Sequence, residues 1–221
     1  MKVGTRVAFI VFLVLLIDQA VKIWIKTTFE YGEEITVFPW FIIHFIENPG
    51  MAFGTQLHDI PILGKVLQPA VAKPLLTILR IVAVGFIIYV IRGMIRNVAP
   101  KGLLYSMGLI LAGAIGNIID STFYGLIFNK GRTNDDALYR KAYEGLAEPN
   151  FEGYAPVFGG SVVDMLHFPL FTTTWPEWVP KVGGQTFTFF SPVFNIADAS
   201  ITIGVFLILI FQRAYFKKKT A

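Results

Sequence analysis

Cysteine is missing altogether from the 221 residues, which excludes disulfides, thiolate metal sites and a cysteine nucleophile. Charge is scarce as well: 15% of the residues are Asp, Glu, Lys or Arg, against about 25% in a typical soluble domain. With 54% hydrophobic residues and a mean hydropathy of +0.60, that shortage argues against a disordered chain, a nucleic-acid-binding tail and an ordinary soluble enzyme. It is the composition of a protein immersed in lipid. Several catalytic signatures are also absent. His44, His58 and His167 are scattered and show no H-E-x-x-H spacing, so a zinc protease has little support, and each reads as a surface or interfacial residue. Neither G-x-S-x-G nor G-x-x-x-x-G-K occurs, which weakens serine hydrolase and nucleotide readings. There is no internal repeat and no low-complexity tract.

What the chain does have is four apolar segments, each near the roughly 20 residues needed to cross a bilayer. They run over about 7–25, 75–91, 102–119 and 196–211. The first is broken only by Asp18 and Lys22, the second by Arg80, and the third carries no charge until Asp120 closes it. The fourth is slightly short, with Asp198 near its start. Lys2, Arg6, Arg92, Arg96, Lys101, Arg213 and Lys217 to Lys219 gather on one side of these spans. By the positive-inside rule that side is the cytoplasm, so both termini are expected there. Two long segments, about 27–74 and 121–195, then face outward. Lys2 and Arg6 before an apolar run resemble a signal peptide, but the run is long, carries Asp18 and lacks a small-x-small cleavage site; a retained span is the better reading.

The first outer segment alternates from Ile35 to Ile46 and ends at Asn48-Pro49-Gly50, which predicts short strands. An interfacial helix is expected around Leu63 to Ala72. The second outer segment is polar and Gly-rich from Asn129 to Gly160, then aromatic (Phe168, Phe171, Trp175, Trp178, Phe187, Phe189, Phe190). Such residues suit an interfacial belt; the alternative is a lid over a lipid-facing site.

Ionisable groups at membrane depth are costly and therefore functional candidates. Asp120 ends the third span and Asp198 begins the fourth, both at their outer ends, while Asp164 lies in the short apolar run Val162-Val163-Asp164-Met165-Leu166. Three carboxylates thus come to one membrane face. Two held close together cannot both ionise cheaply, so one retains a proton. Such a pair can deprotonate a water and protonate a carbonyl, the chemistry of aspartic peptide hydrolysis. Asn117 and Asn195 each stand three residues before an Asp, on the same helical face. Each Asn either binds near its Asp and the substrate or satisfies a helix end. Gly108, Ala112 and Gly116 form a small-residue stripe that signifies close helix packing. Asp18 and Lys22, spaced i, i+4, either neutralise each other for insertion or fix the first outer segment over the site.

These residues resemble a known family in five ordered blocks. They are Asp18-Gln19-Ala20-Val21-Lys22; Glu47-Asn48-Pro49-Gly50-Met51-Ala52-Phe53-Gly54; Gly113-Ala114-Ile115-Gly116-Asn117-Ile118-Ile119-Asp120; Val162-Val163-Asp164; and Phe194-Asn195-Ile196-Ala197-Asp198. The family is the lipoprotein signal peptidases, or signal peptidase II, of bacterial cytoplasmic (inner) membranes. The resemblance implies a membrane α-helical fold: a single integral membrane domain over 1–221, four transmembrane helices with a small extracytoplasmic β-cradle and an interfacial helix. It implies an aspartic endopeptidase that cuts diacylglyceryl-modified prolipoproteins before the lipidated cysteine. Asp164 and Asp198 fall at its catalytic positions. Asp18, Lys22, Asn48, Gly50, Gly113, Asn117, Asp120 and Asn195 fall at its supporting, substrate-binding positions. No metal or cofactor and no nucleic acid is expected. The partners implied are the diacylated prolipoprotein, membrane lipid and cyclic peptide inhibitors of the globomycin type, with the enzyme a monomer.

Two departures stand out. Ser121 follows Asp120 where the family pattern has Arg, so the charge partner of Asp120 is open, with Arg80 as the substitute unless it merely snorkels to headgroups. Thr122 to Ser161 is much longer than the family's usual connection, either a cover for the substrate or, as favoured here, a tolerated insertion. A presenilin-like protease is disfavoured because G-x-G-D is absent. A proton-coupled transporter using intramembrane carboxylates is the alternative from another class, and it would want acids spread through the membrane.

Overall fold

The computed structural model describes residues 2–50, 69–132, 143–212 and 215. The Met51 to Gly54 end of the second block, His58 and most of the basic tail lie outside the described residues. So does the greater part of the expected interfacial helix; its last residues, from Pro69, instead open a long helix.

The apolar segments form α1 (Val3–Thr28), α2 (Pro69–Arg96), α3 (Lys101–Ile119) and, after the short α4 (Gly125–Ile127), α5 (Ile196–Phe211). Among the described residues, three helical stretches are long and apolar enough to cross a membrane: α1, α2 from Val71, and α3 continued to Ile127. At 16 residues, α5 is apolar but rises only ~24 Å, short of a hydrocarbon core of about 30 Å. The bundle presents large apolar side chains outward, among them Phe9, Phe12 and Leu16 on α1, Val82 and Phe86 on α2, and Phe206 and Ile210 on α5. Apolar surface on that scale calls for lipid.

Helix α3 is the hub, packed against α5, α1 and α2. The small-residue stripe explains how. Gly108 and Gly116 face Val7 and Asp18 of α1, and a Cβ at Gly116 would lie 2.7 Å from the Asp18 Oδ2. Gly113, one position off the stripe, abuts the backbone of Ala197 instead. One helix thus accepts two neighbours at backbone distance.

At the end of the bundle where α1 and α3 finish, an antiparallel sheet runs in the order β1 (Glu34–Phe38), β2 (Phe41–Asn48), β3 (Val162–His167) and β6 (Val193–Phe194). The expected strands and the turn at Asn48 are there. A separate ribbon joins β4 (Phe171–Thr174) to β5 (Thr186–Phe189). Its pairing puts Phe171, Thr173, Phe187 and Phe189 on one face and Thr172, Thr174, Thr186 and Thr188 on the other. Phe171, Trp178, Phe189 and Phe190 stay exposed, as an interfacial belt requires.

Beneath the sheet lies a core of Ile25, Phe29, Phe45, Val163 and Met165 together with Tyr124, Phe128 and Ala147. The last three come from the stretch expected to be a tolerated insertion. Its described residues, 122–132 and 143–161, do not simply loop outward; they help fill the space between α1 and the sheet. Its anchor is Lys26, buried in α1, which pairs with Glu47 of β2 and donates to the Lys130 carbonyl at 2.9 Å. The ammonium also faces the rings of Phe128, Tyr143 and Tyr154 at 5.1–5.6 Å, a cation–π arrangement.

Candidate active site

Strand alternation decides where Asp164 points. Val163 and Met165 enter the core beneath the sheet, so Asp164 between them faces the other way, with Ile46 as its partner on β2. Asp198 is set by a helix start. Asn195 is the N-cap of α5: its Oδ1 accepts from the Asp198 N–H at 2.8 Å, and Asp198 Oδ2 accepts the Asn195 N–H at 3.4 Å. That reciprocal capping is the physical content of the Asn195-x-x-Asp198 spacing.

The two acids meet through asparagines. Asn195 Nδ2 donates to Asp164 Oδ1 at 2.7 Å and to Asn117 Oδ1 at 3.1 Å, while Asn117 Nδ2 donates to Asp198 Oδ1 at 2.8 Å. Both acids line a cavity of about 540 Å³ with Asn48, Gly50, Arg80 and the apolar side chains of Val162, Phe190, Phe194 and Ile203. Burial first, and then the Asp198 charge beside it, push the Asp164 carboxyl well above the usual carboxylate range. Asp164 is therefore biased toward its protonated form.

Behind this wall sits Lys22, fully buried. Its ammonium contacts Asp120 at 2.8 Å, Asp18 at 2.9 Å and Asn117 Oδ1 at 3.1 Å, an acceptor for each of its three N–H bonds. Each partner reaches an element that carries an acid. Asp18 Oδ1 accepts from the Ala197 N–H at 2.9 Å, in the first turn of α5. Asp120 accepts from the Val163 N–H at 3.4 Å, next to Asp164. Asp18 and Lys22 do pair, as the first reading of that spacing expects, but among the described residues the element the pair anchors is α5 and not the first outer segment of the second reading. Gln19 joins the network by donating to Asp120 Oδ1 at 2.8 Å and accepting from the Tyr124 hydroxyl at 3.2 Å. Helix α3 loosens into a π-helical turn at Asp120–Tyr124, a feature frequent at functional sites.

The charge partner of Asp120 is thus Lys22, and the expectation that Arg80 takes that part is corrected. Nor does Arg80 snorkel. It is half-buried, donates to Ser121 Oγ at 3.3 Å and to the Gly50 carbonyl at 3.1 Å, and borders the cavity. Of the supporting positions, Asn48, Gly50 and Asn117 line the cavity; Gly50 N–H closes a turn on Asn48 Oδ1 at 2.9 Å. Asp18, Lys22, Asp120 and Asn195 are buried behind it, and Gly113 acts through packing. Sequence reasoning missed Gln19, whose one signal was adjacency to Asp18. It also missed the meeting of His44, His167 and Glu34 on the sheet, which only strand register reveals.

Four apolar helices, a capping sheet and two carboxyl groups sharing one cavity at the bundle's end define a class: a membrane-embedded peptidase of the aspartic type. The model of the signal peptidase (SPase) II family matches residues 10–213. The lipoprotein signal peptidase of Porphyromonas gingivalis is 43% identical over 208 residues, covering 94% of this chain and 82% of that protein. That of Amoebophilus asiaticus is 37% identical over 211 residues, covering 93% and 76%. The chain belongs to the signal peptidase II family. Two solved bacterial membrane enzymes, determined by the in meso method at 1.9 and 2.3 Å, share the fold with TM-scores of 0.56 and 0.53 at 24% identity. They cover 95% and 97% of this chain, which in turn covers 93% and 90% of theirs.

Proposed function

We propose that Asp164 and Asp198 are the catalytic pair with which this enzyme works. As a signal peptidase II it removes signal peptides from prolipoproteins; the transporter alternative gains no support from its relatives. The observation that carries the assignment is the bonded pair of carboxamides, Asn117 and Asn195, each holding an oxygen of one acid at a single cavity wall.

The chemistry follows from the proton count. Asp198 takes a proton from a water held between the two carboxyl groups, and the water oxygen attacks the scissile carbonyl carbon. Asp164 gives its proton to the carbonyl oxygen. On collapse the C–N bond breaks, the leaving nitrogen takes the proton from Asp198, and Asp164 recovers its own. The bond cut lies before a cysteine carrying a diacylglyceryl group. Its acyl chains rest on the apolar side of the cavity, at Val193, Phe194, Ile201 and Ile203, where burial contributes about 0.8 kcal/mol per CH2. A cyclic peptide of the globomycin type competes for the same space, and one chain suffices for activity.

Orientation completes the reading. Lys2, Arg6, Arg96 and Lys101 sit at the helix ends remote from the sheet, so the termini are cytoplasmic and the sheet lies outside. The test is purified protein with a diacylated signal-peptide reporter. Asp164→Asn and Asp198→Asn each lower cleavage by about 1000-fold or more while the protein still inserts. Wild-type cleavage by either variant would remove the pair from consideration.

A further inference from the structure

Away from the cavity, three side chains on neighbouring strands converge. Glu34 of β1 pairs directly with His44 of β2, and Ile42, two residues before His44, pairs with His167 of β3. Ile43 and Phe45 turn into the core, so His44 faces away from it, and His167 comes up beside it. The imidazole centroids are 6.0 Å apart, and His44 Nδ1 lies 3.0 Å from Glu34 Oε1. One ligand atom from each of the three residues falls within 4.8 Å of the others.

Two further facts set this cluster apart from a surface ion pair. Both ring nitrogens of His167 are shielded from solvent and have no hydrogen-bond partner among the described residues, a costly state for groups that water or a ligand would otherwise satisfy. Glu34 has its side chain half exposed, at 50%, and supplies both a route in and the freedom to swing onto an ion.

We propose that Glu34, His44 and His167 form a binding site for a borderline divalent cation of the Zn2+ type, which pins β1, β2 and β3 together. Two imidazoles and a carboxylate are a set such an ion accepts, with solvent in the fourth position. Bonds of ~2.0–2.2 Å require the ligand atoms to close in from their present spread of up to 4.8 Å. The ion stands apart from the peptidase chemistry. Its part is mechanical: β2 and β3 carry Asn48 and Asp164, and the pin stiffens the sheet that holds them.

The test uses full-length protein in micelles, purified without a polyhistidine tag, stripped with chelator and titrated with ZnCl2 alone. One Zn2+ binds per chain and raises the unfolding temperature. His44→Ala and His167→Ala each weaken binding at least tenfold, and the double variant loses both the ion and the thermal shift while cleaving the reporter as the metal-free wild type does. Glu34→Gln, at an exposed position that cannot disturb the core, also weakens binding about tenfold. Absence of stoichiometric Zn2+ in the wild type, or unchanged affinity in the two histidine variants, overturns the site; unchanged affinity in Glu34→Gln removes the carboxylate from it.

Discussion

Lys22 and Lys26 stand one turn apart on α1, both buried completely, and do different things. Lys22 has three side-chain acceptors, Asp18, Asp120 and Asn117, each tied onward to an element bearing Asp164 or Asp198. Lys26 has one carboxylate, Glu47, one carbonyl and three aromatic rings. The first lysine orders a reaction site and the second fastens an inserted segment. A buried ammonium that stays charged needs acceptors around it; what it accomplishes depends on what those partners are attached to.

Of the two lysines, Lys22 should have the larger effect on cleavage when it is replaced, in Lys22→Met. It leaves two buried carboxylates without their cation and loosens both the start of α5 and the strand beside Asp120. Misplacement of catalytic groups by an ångström costs about 100-fold, so reporter cleavage per folded molecule should fall at least that far. Cleavage within a few-fold of wild type would mean that the network is scaffolding only.

Lys26→Met should behave differently. It strands Glu47, so unfolding in micelles should show a loss of about 3–5 kcal/mol, with cleavage per folded molecule nearly kept. Adding Glu47→Gln removes the orphaned charge and retains acceptors for the Arg132 N–H and the Tyr143 hydroxyl; about half the loss should return. Burial and then Glu47 hold the Tyr143 hydroxyl well above its ordinary titration range, so it stays a donor throughout. If the double variant is no more stable than the single, the ion pair is not what fastens the segment.

The smallest effect is a pH dependence. Because Asp164 binds its proton more tightly folded than unfolded, its contribution to stability is complete below the unfolded carboxyl range and is lost as pH rises through its own raised value. The Asp164→Asn variant should therefore gain in unfolding temperature over wild type as pH increases, and wild-type cleavage should decline over the same interval. A constant difference across pH would show that Asp164 is ionised in the folded protein.

Much of the site was legible beforehand, for reasons of locality. The Asn195-to-Asp198 spacing is a helix-capping signal, the Asp18-to-Lys22 spacing is one helical turn, and each is stated within a few residues. The partner of Asp120 was not legible: Lys22 and Arg80 were both cations within reach of its span, and only packing of α1 on α3 separates them. The packing of the described part of Thr122 to Ser161 was hidden as well, because nothing local shows that Tyr124 and Phe128 will share a core with Ala147 from beyond a polar, Gly-rich stretch. Nor could spacing unite His44 and His167, which are neighbours only through the pairing of β2 with β3.

By itself, then, the sequence determined where the chain enters lipid, because hydropathy is a property of consecutive residues and the bilayer reads it locally. It also determined that acids cluster at one membrane face. Which acids share a cavity, and what holds them there, was decided by the tertiary structure: Asp18 reaches the backbone of Ala197 across 179 positions, and only close-packed glycines on α3 let those elements approach. Contacts over such separations depend on how helices and strands fit against one another, a quantity that no short stretch of residues contains.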